Sequence, residues 1–414
     1  MLAKKTFSNG LRLLTVPNKE VKSVAVLVLV GTGGRYETEK TNGLAHFYEH
    51  LLFQGTKNFP SKMDLGIAVD SIGAEYNGWV DKEYTAYYVK CESSKVETAA
   101  WVLSDLICQP LMKESEMEAE RNVILQEIAM REDNPQVKAV DVLWETVFKR
   151  NPLGLAGVGE QKVVMSLQKP DFLDFGKKHY TAGNLVVDFS GAFENKRVED
   201  LTEKYFGGLP KGEKNTFVAF EGKQNKARKV MIDKKIEQAH VVLGFPGYCR
   251  TSDKKYAQSL LDVILGSGFS SRLFQKIREE MRLAYYVGSE SESYLDTGIF
   301  ACFAGLDKKK TKEGIEAIWD QLTRIKNYDL RITSEELRKA KDYSRGHLVL
   351  KLEDPMDIAT FYGIREVLLG KTEEPEEILE KLEKVTVEEV VEVARNIFKP
   401  EKASLVVVGE IEED

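Results

Sequence analysis

Two of the chain's five histidines stand four residues apart, in Gly43-Leu-Ala-His46-Phe-Tyr-Glu49-His50-Leu-Leu. On a helix, positions i and i+4 share a face, so both imidazoles can reach one ion. Glu49 is at i+3 from His46 and projects to the same side. Two neutral imidazoles suit zinc. A carboxylate beside them can take a proton from a water that a metal has acidified. The neighbours Leu44, Phe47, Leu51, Leu52 and Phe53 are apolar, and two unpaired imidazoles among them would be costly. The other histidines, His179, His240 and His347, have no ligand spacing and read as ordinary surface or core residues.

Catalytic zinc usually takes three protein ligands plus water. The third is to be sought in Glu118-Ala-Glu120-Arg-Asn-Val-Ile-Leu-Gln-Glu127-Ile. This segment reads as a helix with Val123, Ile124, Glu127 and Ile128 on one apolar-facing stripe. Glu120 lies two turns earlier on the same face as Glu127, and periodicity alone does not choose between them.

These residues need a scaffold, and the chain is long enough to supply one. At 414 residues it exceeds what one hydrophobic core usually serves, so two or more domains are expected. Apolar residues make up 43% and charged residues 30%, an ordinary globular balance that argues against disorder. The net charge is 59 − 66 = −7, which argues against a general nucleic-acid binder. Cys91, Cys108, Cys249 and Cys302 are widely spaced with no CxxC pair, so neither a disulfide framework nor a cysteine-rich zinc finger is expected. No signal peptide is visible in Met1–Asn9, and the longest apolar run, Val24–Val30, has the length of a strand and not of a membrane span. The expectation is a cytoplasmic protein with no membrane insertion. Gly266-Ser-Gly268 lacks the Gly-Lys-Ser/Thr that a phosphate loop needs.

Leu11–Val16 and Val24–Val30 read as strands, followed by a glycine-rich break and a helix from Leu44 to about Phe53. Ser61, with Asp64 three residues on, predicts a capped second helix that stops at Gly73. Glu75–Val80 and Tyr84–Cys91 read as strands, and helical patterns run through Lys95–Cys108, Lys113–Arg131 and Gln136–Lys149. Helix Pro170–Tyr180, strand Leu185–Phe189 and Gly191 return near the end of the chain as helix Glu388–Phe398, strand Ser404–Val408 and Gly409. An offset of 218 residues superposes Tyr180 on Phe398 and Gly191 on Gly409, which reads as an internal repeat. The fold class expected is therefore α+β, with two homologous domains, 1–209 and 229–414, joined by a polar linker, 210–228. Each should be a mostly antiparallel sheet packed with helices.

H-x-x-E-H is the inverzincin signature, and the chain resembles the pitrilysin, insulysin and mitochondrial processing peptidase family. Gly43 to Thr56 resembles that family's active-site helix and the loop after it, and Glu120 to Glu127 its second metal-site helix. The resemblance implies His46, His50 and Glu127 as metal ligands, Glu49 as general base, and Glu120 as an acid supporting the site. It implies one zinc ion per chain and a zinc endopeptidase acting on extended or unfolded peptides. Asn77-Gly78-Trp79 matches the edge strand that pairs with substrate, although Gly78 stands where alanine is usual and Val80 where threonine is usual. Ser271 to Tyr285 resembles the C-terminal signature, implying that Arg278 and Tyr285 bind substrate carbonyls or the oxyanion. Arg282 stands where a glycine is common. The family encloses its chamber with four such domains, so a homodimer is the simpler expectation and a heterodimer with an inactive relative the alternative. A non-catalytic, core-type or substrate-binding subunit is the alternative function.

Overall fold

A computed structural model of the chain describes residues 2–222, 224–326 and 331–410. It contains two sheets. The first holds β1 (Ala3–Thr6), β2 (Arg12–Pro17), β3 (Ser23–Val30), β4 (Glu75–Val80), β5 (Thr85–Glu92) and β6 (Leu185–Gly191), in the order β1-β2-β6-β3-β5-β4. The second holds β7 (Arg228–Asp233), β8 (Gln238–Gly247), β9 (Ala284–Ser293), β10 (Gly298–Asp307) and β11 (Ser404–Gly409), in the order β7-β11-β8-β10-β9. Each has one parallel pair, β2 with β6 and β7 with β11, and is otherwise antiparallel. With β1 set aside, the two strand orders correspond one to one. This is the α+β duplication that the 218-residue offset predicts.

The central strand β3 reads Ser-Val-Ala-Val-Leu-Val-Leu-Val, and every residue from Val24 to Val30 is fully buried. An uninterrupted apolar strand needs cover on both faces. Val24, Val26, Val28 and Val30 join the core formed with helices α1 (Leu44–Leu52) and α3 (Val96–Cys108). On the other face lies the helix Pro355–Leu369. Gly363 brings its backbone so close that an added Cβ would sit 2.4 Å from Leu29 Cδ1.

That helix comes from the second half of the sequence, and the exchange is reciprocal. Helix α2 (Lys62–Asp70) has the predicted Ser61–Asp64 capping box, and α4 (Glu114–Asp133) follows. Next comes α5 (Pro135–Val147), which is capped by Asn134 and packs Ala139, Leu143 and Val147 with Val242 of β8 and Val406 of β11. The compact units are accordingly discontinuous. One comprises Met1–Ile128, Leu155–Val218 and Leu350–Glu373, and the other Ala129–Gly154, Ala219–Val349 and Glu374–Asp414. This departs from the contiguous bounds 1–209 and 229–414, because each sheet is covered by a helix from the other half. Nor is 210–228 a free linker throughout. Pro210 accepts the Ala182 N–H at 2.9 Å, Asn215 reaches Thr32 Oγ1 at 2.5 Å, and Phe217 lies under the Arg35 guanidinium at 3.7 Å. No helix among the described residues is long and apolar enough to cross a membrane.

Candidate metal centre

Helix α1 buries Leu44, Ala45, Phe47, Tyr48, Leu51 and Leu52, and this anchors the opposite stripe of His46, Glu49 and His50. Its start is fixed by a residue that sequence reasoning missed. Glu37, wholly buried, accepts the backbone N–H of Gly43 at 2.9 Å and of Ala45 at 2.7 Å, and the Asn42 amide at 3.1 Å. These are among the donors a helix start leaves unpaired. Burial pushes the Glu37 carboxyl up to about 7, against the pull of those N–H groups. The six-residue gap to Gly43 hides it, because a glutamate in a polar loop reads as solvated.

The imidazole rings of His46 and His50 are 4.6 Å apart. One ligand atom from each of His46, Glu49 and His50 lies within 4.8 Å of the others. Helix α4 brings Glu127, whose Oε2 is 3.5 Å from His46 Nε2 and 3.7 Å from His50 Nε2. These separations are long for hydrogen bonds. They approach the edge of a tetrahedron with zinc–ligand bonds of ~2.0–2.2 Å, which is about 3.4 Å. The donor set of two imidazoles and a carboxylate thus fits a zinc ion. Glu120 lies behind, with its Oε2 3.0 Å from His50 Nδ1. A carboxylate on Nδ1 fixes the tautomer that leaves Nε2 free to coordinate. The geometry therefore separates the two glutamates that periodicity left open.

Three carboxylates crowd this cluster. Burial, above all, pushes Glu49 up to about 7; His50 pulls it down, while Glu127 and Glu120 add to the rise. Burial pulls His50 down, but the Glu120 hydrogen bond and the surrounding carboxylates leave it above its ordinary value. Helix α4 is held by Arg121, which donates to the carbonyls of Leu167 (2.8 Å) and Val164 and lies 5.4 Å from the Phe47 ring. The buried line of α4 runs Met117, Glu120, Arg121, Ile124. Val123, expected on the apolar stripe, is 40% exposed instead, because the helix is rotated so that Glu120 and Arg121 face inward.

Asn77, Gly78 and Trp79 lie on β4, the outermost strand on its side of the sheet. A Cβ on Gly78 would lie 2.5 Å from Glu49 Oε1, so β4 runs directly beside the carboxylate. In the second unit, Arg278 occupies a π-helical turn, Phe274–Glu280, and Arg282 sits at φ +52°. The Arg278 guanidinium lies 4.8 Å from the Phe274 ring and 6.0 Å from that of Tyr285, which is 73% exposed.

A family described as Insulinase (Peptidase family M16) matches residues 12–160, and one described as Peptidase M16 inactive domain matches 166–343. The chain belongs to peptidase family M16. Among M16 relatives, an uncharacterized zinc protease of Rickettsia felis is 33% identical over 96% of this chain and 95% of its own. The uncharacterized zinc protease YmxG of Bacillus subtilis is 33% identical over 97% of each. The crystal structure of a protease from Helicobacter pylori superposes with a TM-score of 0.92 at 24% identity, covering 99% of each chain. The structure described as a peptidase M16 inactive domain from Pseudomonas fluorescens gives 0.91 at 20%, covering 100% of this chain and 99% of that one. At these identities the two structures establish the M16 fold.

Proposed function

We propose that the chain is a zinc-dependent endopeptidase that hydrolyses extended or unfolded peptides, with one zinc per chain held by His46, His50 and Glu127. The observation that carries this reading is the Glu127 carboxylate set 3.5 and 3.7 Å from the two Nε2 atoms with Glu49 beside them. When bound, zinc supplies Lewis acidity toward the scissile carbonyl and the attacking water. Glu49 Oε takes a proton from that water as its oxygen bonds to the carbonyl carbon. It then delivers the proton to the amide nitrogen as the C–N bond breaks. Glu120 holds His50 through Nδ1. The substrate is extended because it adds to β4, an outer strand, beside Asn77, Gly78 and Trp79. Arg278 and Tyr285, a cation and a phenol close together, are assigned to substrate carbonyls or the oxyanion. A homodimer is the partner state we infer, because one chain carries both the metal motif and the Arg/Tyr pair; a heterodimer with an inactive relative is the alternative. Cytoplasmic residence belongs to the same reading.

The test pairs wild type with Glu49→Gln, measuring bound metal and cleavage of a quenched peptide of about ten residues, with and without chelator. The variant should keep its metal and lose ~10²–10⁴-fold in kcat. Metal bound by wild type with no turnover would instead favour the non-catalytic subunit.

A further inference from the structure

On the far side of α1 from the histidines, the first unit contains a pocket of about 240 Å³ that is open on one side. Its walls include Ile107, Met112, Phe172 and Leu209. Polar groups interrupt these apolar walls, Tyr48 and Lys177 among them. Tyr48 is only 4% exposed, its ring packs against those of Phe175 and Tyr180, and its hydroxyl has no hydrogen-bond partner among the described residues. The local backbone is cut away to admit that hydroxyl: a Cβ on Gly176, also in the lining, would sit 2.3 Å from it. The next residue in the lining, Lys177, is exposed and forms no ion pair among the described residues. A phenol hydroxyl and, in the residue after Gly176, a lysine therefore both belong to the lining of this cavity. The Tyr48 hydroxyl is not among the enclosed polar atoms that lack a partner, so it is open to the cavity, and two donors in one lining suit an acceptor, best an anionic one.

We propose that this pocket is a binding site for a small amphipathic carboxylate of medium chain length. Its apolar tail would lie against Ile107, Met112, Phe172 and Leu209, and its carboxylate would accept from Tyr48 Oη and Lys177 Nζ. Size agrees: a cavity of ~150 Å³ holds one benzene, so 240 Å³ accommodates roughly ten heavy atoms. Because Tyr48 lies between His46 and Glu49 in α1, the occupant touches the helix that carries the metal ligands. The site does not depend on the peptidase reading, and its test reads binding alone.

The probe is sodium octanoate, titrated calorimetrically into the full chain, with 1-octanol as the neutral comparison. Wild type should bind one octanoate per chain, more tightly than octanol. Lys177→Gln, at an exposed position that leaves folding intact, and Tyr48→Phe should each weaken octanoate about tenfold. Lys177→Gln should leave octanol unchanged. Absence of saturable binding at millimolar octanoate, or octanoate binding that neither substitution weakens, overturns the proposal; in those cases the Tyr48 hydroxyl is satisfied by water only.

Discussion

Glu49 and Gly78 constrain each other closely at the site. The carboxylate oxygen occupies the space where any other residue at 78 would place its Cβ, and the rings of Phe53 and Tyr87, each 3.1 Å from that point, close off the alternatives. Restoring the family's usual alanine is therefore not conservative in this chain. Gly78→Ala should displace the carboxylate, lowering kcat/KM by tenfold or more while bound metal stays unchanged, since a shift of about 1 Å in a reacting group can cost ~10²-fold. Unaltered kinetics would mean that Glu49 has another productive position. Arg282 presents the reverse situation. It holds φ +52°, where a side chain is strained by roughly 1–2 kcal/mol, so the common glycine has a backbone reason. Arg282→Gly gains that relief minus the ~0.5–1 kcal/mol entropy cost of glycine. A thermal melt should show the variant at least as stable as wild type, by up to about 1.5 kcal/mol.

At the scale of elements, the site depends on how α1 begins and how α4 is rotated. Glu37 ties down two backbone donors at the start of α1, and burial raises its carboxyl from an ordinary 4.5 to about 7. A raised value in the folded state means that folding favours the protonated form. The resulting contribution to stability is complete below about 4.5 and is lost as pH rises toward about 7. Glu37→Gln should lower stability by ~1–3 kcal/mol through lost and mismatched hydrogen bonds. Denaturant midpoints taken from pH 4.5 to 8 should show the gap between wild type and variant shrinking as pH rises; a constant gap would sink the linkage. The sequence made α1 legible because its histidines, glutamate and apolar positions share one 3.6-residue period, and the capping box at Ser61 and Asp64 was equally local. It hid Glu37, whose partners lie across a loop, and misplaced Val123. A charged pair, Glu120 and Arg121, faces inward on α4, and periodicity assigns inward positions to apolar residues. Periodicity left Glu127 and Glu120 open and only the family resemblance favoured Glu127 as the ligand; the geometry has Glu127 against the Nε2 atoms and Glu120 against Nδ1.

Across the whole molecule, duplication was visible in the 218-residue offset, but the exchange of helices was not. Pattern matching finds similar segments and says nothing about which sheet each segment covers. Covering matters energetically. The helix Pro355–Leu369 buries Phe361, Tyr362, Val367 and Leu368 in the first unit, and the carboxylates of its cap Asp354 and of Glu366 accept from Lys90 (2.6 Å) and Arg12 (3.2 Å). Four such side chains at ~1.5–3 kcal/mol each rival the ~5–15 kcal/mol by which a whole domain is stable. A fragment ending at residue 218 leaves Leu27 and Leu29 of β3 without their cover. It should therefore aggregate or unfold without a cooperative transition, whereas the same fragment supplied with a peptide spanning 350–373 should recover a cooperative melt whose midpoint rises with peptide concentration. A fragment that melts cooperatively alone, indifferent to the peptide, would show that the first sheet does not need the exchanged helix. The duplicated halves would then be separable folding units, as the sequence by itself suggests.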